Sequence, residues 1–258
     1  MQFTIEWAAD SNTGRQRDHN EDSFLADDAE GIWVVADGMG GHNSGEEASQ
    51  LAVSSIHHYI TELQFIPEND ERLAQMRGVP RLAAAMVEAI RHANDRIFIE
   101  AMRNAAKQGM GTTVVAAKRD GTNLVLGSVG DSRIYRLRGN SLTQVTIDHT
   151  LVNHLVHTKG MSLAEAQQMA QSNVIVRALG LKNTVEVDVR YEPLRDGDIY
   201  LLCSDGLTDM VADNVVGQVM VEGSRIGLPS ICQNLIAHAN NNGGRDNITV
   251  CVLRVVAS

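Results

Sequence analysis

Cysteines are few in this chain and long hydrophobic runs are absent, and each lack excludes a class of protein. The three cysteines, Cys203, Cys232 and Cys251, form no CxxC pair and no even-numbered set, which argues against a disulfide framework. No segment approaches the roughly 18 apolar residues of a membrane span. The first ten residues, MQFTIEWAAD, lack the basic and apolar regions of a signal peptide. We therefore expect a cytoplasmic protein that has no membrane partner.

Positive charge is also scarce. The chain has 22 Lys and Arg against 32 Asp and Glu, a net charge of −10, and no run of basic residues. Proteins that bind nucleic acid usually carry a basic patch, so we expect no nucleic-acid partner. The 258 residues are 43% apolar, enough for a sizeable core. Without a repeat or linker they predict a single domain, 1–258, that acts as a monomer.

Short apolar segments separated by turn residues predict antiparallel β-structure. Asp120-Gly121 and Gly139-Asn140 are turn dipeptides typical of hairpins. The last predicted strand is apolar on both faces, which indicates a strand between two layers. The predicted strands are Gly31–Ala36, Thr112–Ala117, Asn123–Val129, Ser132–Leu137, Leu142–Ile147, Asp198–Cys203 and Ile248–Val256.

Helical spacing of apolar residues predicts several helices between these strands. Ser162 and Glu165 have the spacing of a capping box at the start of one of them. The predicted helices are Glu46–Leu63, Arg81–Asn104, Ser162–Ala170, Thr208–Met220 and Leu228–Ala239. Because the strands come in hairpins rather than alternating with helices, we expect an α+β fold and not a Rossmann-type sheet.

Five turns place acidic residues beside predicted strands. They are Asn20-Glu21-Asp22, Ala36-Asp37-Gly38, Gly130-Asp131-Ser132, Ser204-Asp205-Gly206 and Arg245-Asp246-Asn247. One Asp-Gly after a strand is ordinary turn chemistry, but Asp37, Asp131 and Asp205 all follow strongly apolar strands. If those strands are neighbours, their carboxylates converge and cannot all stay ionised without compensation. Hard divalent cations such as Mg²⁺ or Mn²⁺ are the usual compensation.

Five short segments carry a more specific signal. They are RDHNED (Arg17–Asp22), DGMGGH (Asp37–His42), GDSR (Gly130–Arg133), SDG (Ser204–Gly206) and GRDN (Gly244–Asn247). In this order they resemble the successive motifs of the type 2C metal-dependent protein phosphatases (PPM family), and DGMGGH resembles the bacterial branch in particular. The resemblance implies an α/β/β/α sandwich, in which two packed antiparallel β-sheets are flanked by helices, with a flap at about residues 148–180 near the active site. It also implies hydrolysis of phosphoserine and phosphothreonine on proteins, in opposition to a cognate serine/threonine kinase.

The same resemblance implies a core pair of Mn²⁺ or Mg²⁺ ions. Asp37 would bridge the two ions and the carbonyl of Gly38 would bind one of them. Asp205 and Asp246 would bind the other. Two cations about 4 Å apart can activate a water and clamp the oxygens of an in-line displacement, so no phosphoenzyme is expected.

The resemblance also implies roles around the core pair of ions for further acidic residues. Glu21 and Asp22 would hold metal-bound waters or complete the ligand sets of the core ions. Asp131 and Asp209, together with Asp205, would form a third metal site.

Arg17 resembles the arginine that binds the substrate phosphate in this family, and with Asp37 it is a candidate catalytic residue. A guanidinium fork matches two phosphate oxygens better than a lysine does. Met39 is a departure, because eukaryotic members carry a histidine there that is proposed as general acid. That role stays open between a metal-bound water and no side chain, and a loop histidine such as His42 more often makes a structural hydrogen bond.

Two other functions fit the sequence less well than a phosphatase does. A catalytically inactive phosphoprotein-binding module would be expected to have lost an acidic ligand, and here every position is filled. A metal-dependent phosphodiesterase or nuclease is disfavoured by the acidic net charge. The glycine-rich segment 38–45 lacks the Gly-Lys-Ser/Thr ending of a nucleotide phosphate loop.

Overall fold

Eleven strands form two antiparallel sheets within residues 2–41, 44–65, 78–171 and 174–257, which the computed structural model describes. The strands are β1 (Phe3–Asn12), β2 (Asp22–Asp27), β3 (Ile32–Met39), β4 (Gly111–Thr112), β5 (Val114–Asp120), β6 (Asn123–Val129), β7 (Arg133–Arg138), β8 (Ser141–Gln144), β9 (Asp188–Pro193), β10 (Ile199–Cys203) and β11 (Ile248–Ala257). One sheet has the order β1-β11-β10-β7-β8. The other has the order β2-β3-β5-β6-β9, with β4 paired to β3.

Helices connect and cover these sheets. They are α1 (Ser44–Thr61), α2 (Arg81–Arg103), α3 (Leu151–Lys159), α4 (Leu163–Met169), α5 (Asp205–Thr208), α6 (Asp213–Gly223) and α7 (Leu228–Asn241), with 3₁₀ turns at Glu62–Phe65 and Ala105–Lys107. The predicted capping box of α4 is confirmed, because the side chains of Ser162 and Glu165 each accept a hydrogen bond from the other's backbone amide. None of the helices in the described part of the chain is long and apolar enough to span a membrane.

Three buried apolar clusters define four layers. Helices α1 and α2 pack on the sheet that contains β3, while α6 and α7 pack on the sheet that contains β11. The third cluster lies between the sheets and includes Trp33, Tyr200 and Leu202. Strand β11 contributes Val250 to a helix-facing cluster and Cys251 to the cluster between the sheets, which confirms its predicted burial on both faces. The predicted α/β/β/α sandwich is therefore confirmed.

The segment 148–180, expected to form the flap, contains α3 and α4. The two helices pack against each other. Isolated β-bridges hold the base of the segment, where Thr150 pairs with Ile175 and Leu179 pairs with Thr112 of β4. Helix α3 was not predicted from the sequence. It begins at an N-cap, Thr150, whose hydroxyl accepts a hydrogen bond from the amide of Asn153.

Edge strands account for most of the missed β-structure. Strands β1, β2 and β9 were not predicted, and each lies at an edge of its sheet. Because an edge strand is partly exposed, its apolar pattern is weak. In β1, for example, Ile5 is buried whereas Trp7 is 39% exposed.

Several predicted boundaries were wrong for identifiable reasons. Strand β3 does not stop before Asp37 but continues to Met39, because Gly38 and Met39 pair with β4. Strand β8 ends at Gln144. Beyond it the Val145 amide still donates to the Ile134 carbonyl at 2.7 Å, but the Ile134 amide donates to the hydroxyl of Thr146.

The predicted helix Thr208–Met220 is in fact two helices. Helix α5 ends at Thr208 and α6 begins at Asp213, because Ala212 has extended backbone angles. His42 lies outside the described residues.

Candidate active site

Asp22 and Asp37 face each other across two neighbouring strands. They are directly paired in the β2–β3 ladder, so their side chains lie on the same face of the sheet. Thr113 fixes the backbone of Asp37 from the other side, because its amide donates to the Asp37 carbonyl at 2.9 Å and its hydroxyl accepts from the Asp37 amide at 3.2 Å. The separation of these two carboxylates is therefore set by rigid backbone.

The second sheet supplies Asp205 and Asp246. Asp205 is the first residue of α5, just after β10, and Asp246 stands two residues before β11. Asp205 and Asp246 are both among the charges that repel the Asp37 carboxylate. Ser204 joins the sheets as well, because its hydroxyl donates to Asp22 Oδ2 at 2.8 Å. Carboxyl groups from both sheets therefore meet at one end of the sandwich.

Burial and mutual repulsion make the ionised forms of these groups unfavourable. Burial, followed by repulsion from neighbouring carboxylates, raises the pKa of Asp22 to about 7 and that of Asp205 to about 6. The same causes raise the pKa of Asp37 well above its ordinary value, with Asp22 and Asp205 as the nearest negative charges. Such shifts mark candidate functional sites, because a fold rarely keeps uncompensated acids without a use.

Asp131 and Asp209 extend this group of acids. Asp131 lies in the turn between β6 and β7, and burial together with the charges of Asp205, Asp148 and Asp209 raises its pKa to about 7. Burial also raises the pKa of Asp209, although the nearby guanidinium of Arg133 opposes the shift. We call Asp22, Asp37, Asp131, Asp205, Asp209 and Asp246 the acidic cluster.

The donor set of the acidic cluster fits divalent cations that prefer oxygen ligands. Asp22 Oδ1 and Asp131 Oδ1 are buried and have no hydrogen-bond partner among the described residues. As the side chains are placed, no group of three or more His, Cys, Asp and Glu among the described residues could hold a metal ion. The unpartnered oxygens of Asp22 and Asp131 are available as ligands, and the neighbouring carboxylates would have to move to complete a site.

Arg17 and Glu21 border the acidic cluster. Arg17 Nη2 donates to Asp246 Oδ2 at 2.7 Å, and about half of the Arg17 side chain is exposed. Burial raises the pKa of Glu21, whereas Arg17 and the backbone amide of Gly45 lower it. Gly38 is required by close packing here, because a Cβ at this position would lie 2.0 Å from the Gly45 carbonyl oxygen.

The structure therefore brings every predicted site residue into one connected region. Some residues that support this region were not singled out from the sequence. The Asn247 side chain donates to the carbonyls of Thr13 and His19 and accepts from the Glu21 amide, which anchors the loop that carries Arg17. Its signal in the sequence was its place directly after Asp246 in the GRDN segment.

Known proteins resemble this chain over nearly its whole length. Residues 12–239 match the family described as Protein phosphatase 2C. The serine/threonine phosphatase stp of Listeria welshimeri is 37% identical over 246 residues, which cover 94% of this chain and 93% of that protein. The serine/threonine protein phosphatase PstP of Mycobacterium tuberculosis is 36% identical over 257 residues, 98% of this chain and 46% of that longer protein.

Solved structures agree with the sequence relatives. A crystal structure of the Mycobacterium tuberculosis phosphatase PstP superposes with a TM-score of 0.81 at 35% identity, covering 98% of this chain and 99% of the other. The catalytic domain of PstP in complex with two manganese ions gives a TM-score of 0.77 at 36% identity, covering 99% and 100% of the two chains. Together with the five motifs and the sandwich fold, these similarities show that the chain belongs to the protein phosphatase 2C family.

Proposed function

We propose that this serine/threonine protein phosphatase hydrolyses phosphoserine and phosphothreonine at the acidic cluster, with Mn²⁺ as the metal. The observation that carries the proposal is the meeting of carboxyl groups from two different sheets, which the Ser204 hydroxyl joins by donating to Asp22 Oδ2 at 2.8 Å, while Asp205 and Asp246 repel the Asp37 carboxylate. Carboxylates crowded in this way gain strongly from a divalent cation, which compensates their repulsion. The two manganese ions bound by a PstP catalytic domain that is 36% identical to this chain support the same assignment.

We assign the acidic cluster, together with Glu21 and the Gly38 carbonyl, to a core pair of ions and a third ion. Asp37 and the Gly38 carbonyl would hold the core pair of ions together with Asp205 and Asp246. The outer positions would be Glu21 and Asp22 beside the core pair, and Asp131 and Asp209 with Asp205 at a third ion. When bound, Mn²⁺ or Mg²⁺ would supply activation of a water and neutralisation of phosphoryl charge.

Arg17 is proposed to bind the substrate phosphate. Its guanidinium is held beside the acidic cluster by Asp246 at 2.7 Å while half of its side chain remains exposed. A guanidinium has five N–H donors in a planar fork, so donors remain for two phosphate oxygens. The loop that carries Arg17 is anchored by Asn247, which limits how far the guanidinium can move.

The biological setting is also part of the proposal. Residues 1–258 would act as a single, monomeric domain in the cytoplasm on proteins that a serine/threonine kinase phosphorylates. The similar serine/threonine phosphatases of Listeria and Mycobacterium support this substrate class. An inactive binding module is disfavoured, because every acidic position is filled and the carboxyl groups converge.

Chelation followed by metal replacement tests the proposal. The protein is stripped with a chelator and assayed on a phosphoserine peptide, p-nitrophenyl phosphate and a phosphodiester dinucleotide. We expect negligible activity after stripping and recovery on the first two substrates when Mn²⁺ is added, with less recovery in Mg²⁺. Full activity in chelator would contradict metal dependence, and turnover of the dinucleotide alone would favour a phosphodiesterase.

A further inference from the structure

Asp148 and His149, two consecutive buried residues at the start of the flap, form hydrogen bonds with the loop that carries Asp131. The backbone amide of His149 donates to the Gly130 carbonyl at 2.8 Å. The Gly130 amide donates in return to His149 Nδ1 at 3.0 Å. Both polar groups of the Gly130 backbone are therefore bound by one residue, and His149 is only 8% exposed.

Asp148 holds the other side of the same loop. Its carboxylate accepts from Arg133 Nε at 2.9 Å and from Arg133 Nη2 at 2.7 Å, and a charged pair with two such bonds fixes orientation as well as distance. Gln144 donates to the same carboxylate at 2.8 Å. Asp148 and His149 thus hold the residues on either side of Asp131 and Ser132, and we call the pair the flap clamp.

The side chain of Asp131 makes few contacts that could fix the position of this loop. Asp131 Oδ1 is buried and has no partner among the described residues, and the charges of Asp205, Asp148 and Asp209 repel its carboxylate. Gly130 has φ +105°, and a Cβ there would lie 2.6 Å from the Thr113 side chain. The loop is therefore held in a backbone conformation that favours glycine, against repulsion at its acidic residue.

His149 also connects this loop to the end of the flap. Its carbonyl accepts from the Val176 amide at 2.9 Å. When Nδ1 accepts from Gly130, the ring hydrogen of neutral His149 lies on Nε2, 3.4 Å from Asp188 Oδ2. Arg177 Nη1 also lies 2.9 Å from Nε2, but a guanidinium only donates, so it bonds to the ring only in the other tautomer. In the tautomer that binds Gly130, the ring therefore lies between the Gly130 amide and the Asp188 carboxylate.

We propose that Asp148 and His149 are positioning residues for the phosphatase reaction: they hold Asp131 in the acidic cluster and do not touch the substrate. The inference rests on the proposed function, in which Asp131 takes part in catalysis. Partners that orient a metal-binding group matter in general, and their loss typically costs about 10- to 100-fold in metal affinity or activity.

Paired substitutions at His149 test the flap clamp. In His149→Asn the side-chain oxygen stands close to the place of Nδ1 and can still accept from the Gly130 amide, whereas His149→Ala removes that acceptor. We expect His149→Ala to lower kcat on a phosphoserine peptide about tenfold with KM within about twofold, and His149→Asn to stay within about threefold of wild type. His157→Ala, an exposed histidine of α3, is the matched control and should behave as wild type.

Two measurements that do not depend on turnover distinguish a positioning role of His149 from a role in the overall stability of the protein. Hydrogen exchange of the amides at residues 130–133 should accelerate in chelated His149→Ala, while the sheet amides keep their protection. Calorimetry with Mn²⁺ alone should show weaker binding of the weakest ion and unchanged binding of the tighter ions. Asp148→Asn, which keeps the shape and weakens the ionic bond to Arg133, should give the same pattern to a smaller extent.

The outcomes are distinguishable. Equal losses in His149→Asn and His149→Ala, or no loss in His149→Ala, would overturn the flap clamp. Faster exchange throughout the protein with a lower Tm would overturn it too, because His149 would then serve only stability. Asp131→Ala is made in parallel, and if it leaves kcat unchanged, the proposed catalytic role of Asp131 fails and the flap clamp fails with it.

Discussion

The acidic cluster has two regions that are built differently. In the inner region, Asp22 and Asp37 lie on paired strands of one sheet. Asp205 and Asp246 each stand two residues from the end of a strand of the other sheet. In the outer region, Asp131 occupies a turn and Asp209 is exposed at the end of a single helical turn. Sheet backbone sets the inner geometry, whereas the outer geometry depends on contacts with the flap.

Burial and repulsion between carboxylates act in both regions. They raise the pKa values of Asp37 and Asp205 in the inner region and of Asp131 in the outer region. In the outer region the guanidinium of Arg133, which pairs with Asp148, opposes the shift that burial causes at Asp209. The regions are still linked, because the Thr113 hydroxyl contacts both the Asp37 amide and the Ser132 hydroxyl. The inner site is therefore held by the two sheets, whereas the outer site is held by contacts with the flap and is partly neutralised by Arg133.

The largest effect is expected in the inner region from Asp37→Asn. Turnover should fall on the order of a thousandfold or more, because a central group is lost. Stability of the chelated protein should hold or rise, because one carboxylate leaves a crowded anionic group. Steady-state rates with Mn²⁺ and thermal unfolding in chelator check both points, with Asp205→Asn as a second test. A substantially lower Tm for the metal-free variant would show that the inner carboxyl groups stabilise the fold instead.

Asp131→Ala should have a smaller and more selective effect. In the proposed assignment Asp131 serves only the third, weaker ion, which could help to protonate the leaving group, a role that Met39 leaves vacant. We expect a loss about tenfold greater on a phosphopeptide, whose alkoxide needs a proton, than on p-nitrophenyl phosphate. Calorimetry should show that the two tightest ions still bind. Equal losses on both substrates would exclude the protonation role, and loss of all metal binding would move Asp131 into the inner region.

Arg17→Ala probes the border between the regions. The guanidinium is proposed to bind phosphate in both the ground state and the transition state, so KM should rise more than kcat falls. A rise of about tenfold corresponds to the loss of one hydrogen bond to a charged group. Arg17→Lys is the matched variant, since it keeps the charge without the fork. A pure kcat defect with unchanged KM would place Arg17 in transition-state stabilisation.

The smallest effect concerns the pH dependence of stability at the outer region. Burial, and then the positive charge of Arg177, lower the pKa of His149, whereas Asp188 and Asp148 oppose the shift. The unfolded chain, with an ordinary pKa of about 6.5, therefore binds more protons than the folded protein below neutrality. Stability should fall as pH drops through 6.5 towards the folded pKa. Urea unfolding of wild type and His149→Asn at pH 7.5 and 5.5 checks this, and an equal pH slope in both would refute it.

Local patterns were sufficient to predict much of the fold. The turn dipeptide Gly139-Asn140 does join β7 and β8. The predicted turn at Asp120-Gly121 lies one residue later, because Asp120 still pairs with Asn123. Strands buried on both faces, such as β11, were predicted because their apolar pattern is strong. Strands β1, β2 and β9 were missed because half-exposed edge strands leave little apolar signal.

The sequence by itself determined which residues are candidates for the chemistry. Arg17 and all of the acidic residues except Asp209 stand in short segments whose order and spacing can be recognised without a structure. The α/β/β/α fold followed from the same resemblance and from the hairpin pattern. Such features are local, since a turn, a motif or an apolar run is complete within a few residues of chain.

Only the tertiary structure decided how those residues are held. Asp37 and Asp205 are separated by more than half of the chain, and they lie near each other because two sheets pack face to face. The ion pair of Arg133 with Asp148 and the hydrogen bonds of His149 with Gly130 likewise join two turns that the β7–β8 hairpin separates in the sequence. None of these contacts has a periodicity or a spacing in the sequence, because burial, charge and hydrogen bonding across the sandwich select them only once the chain has folded.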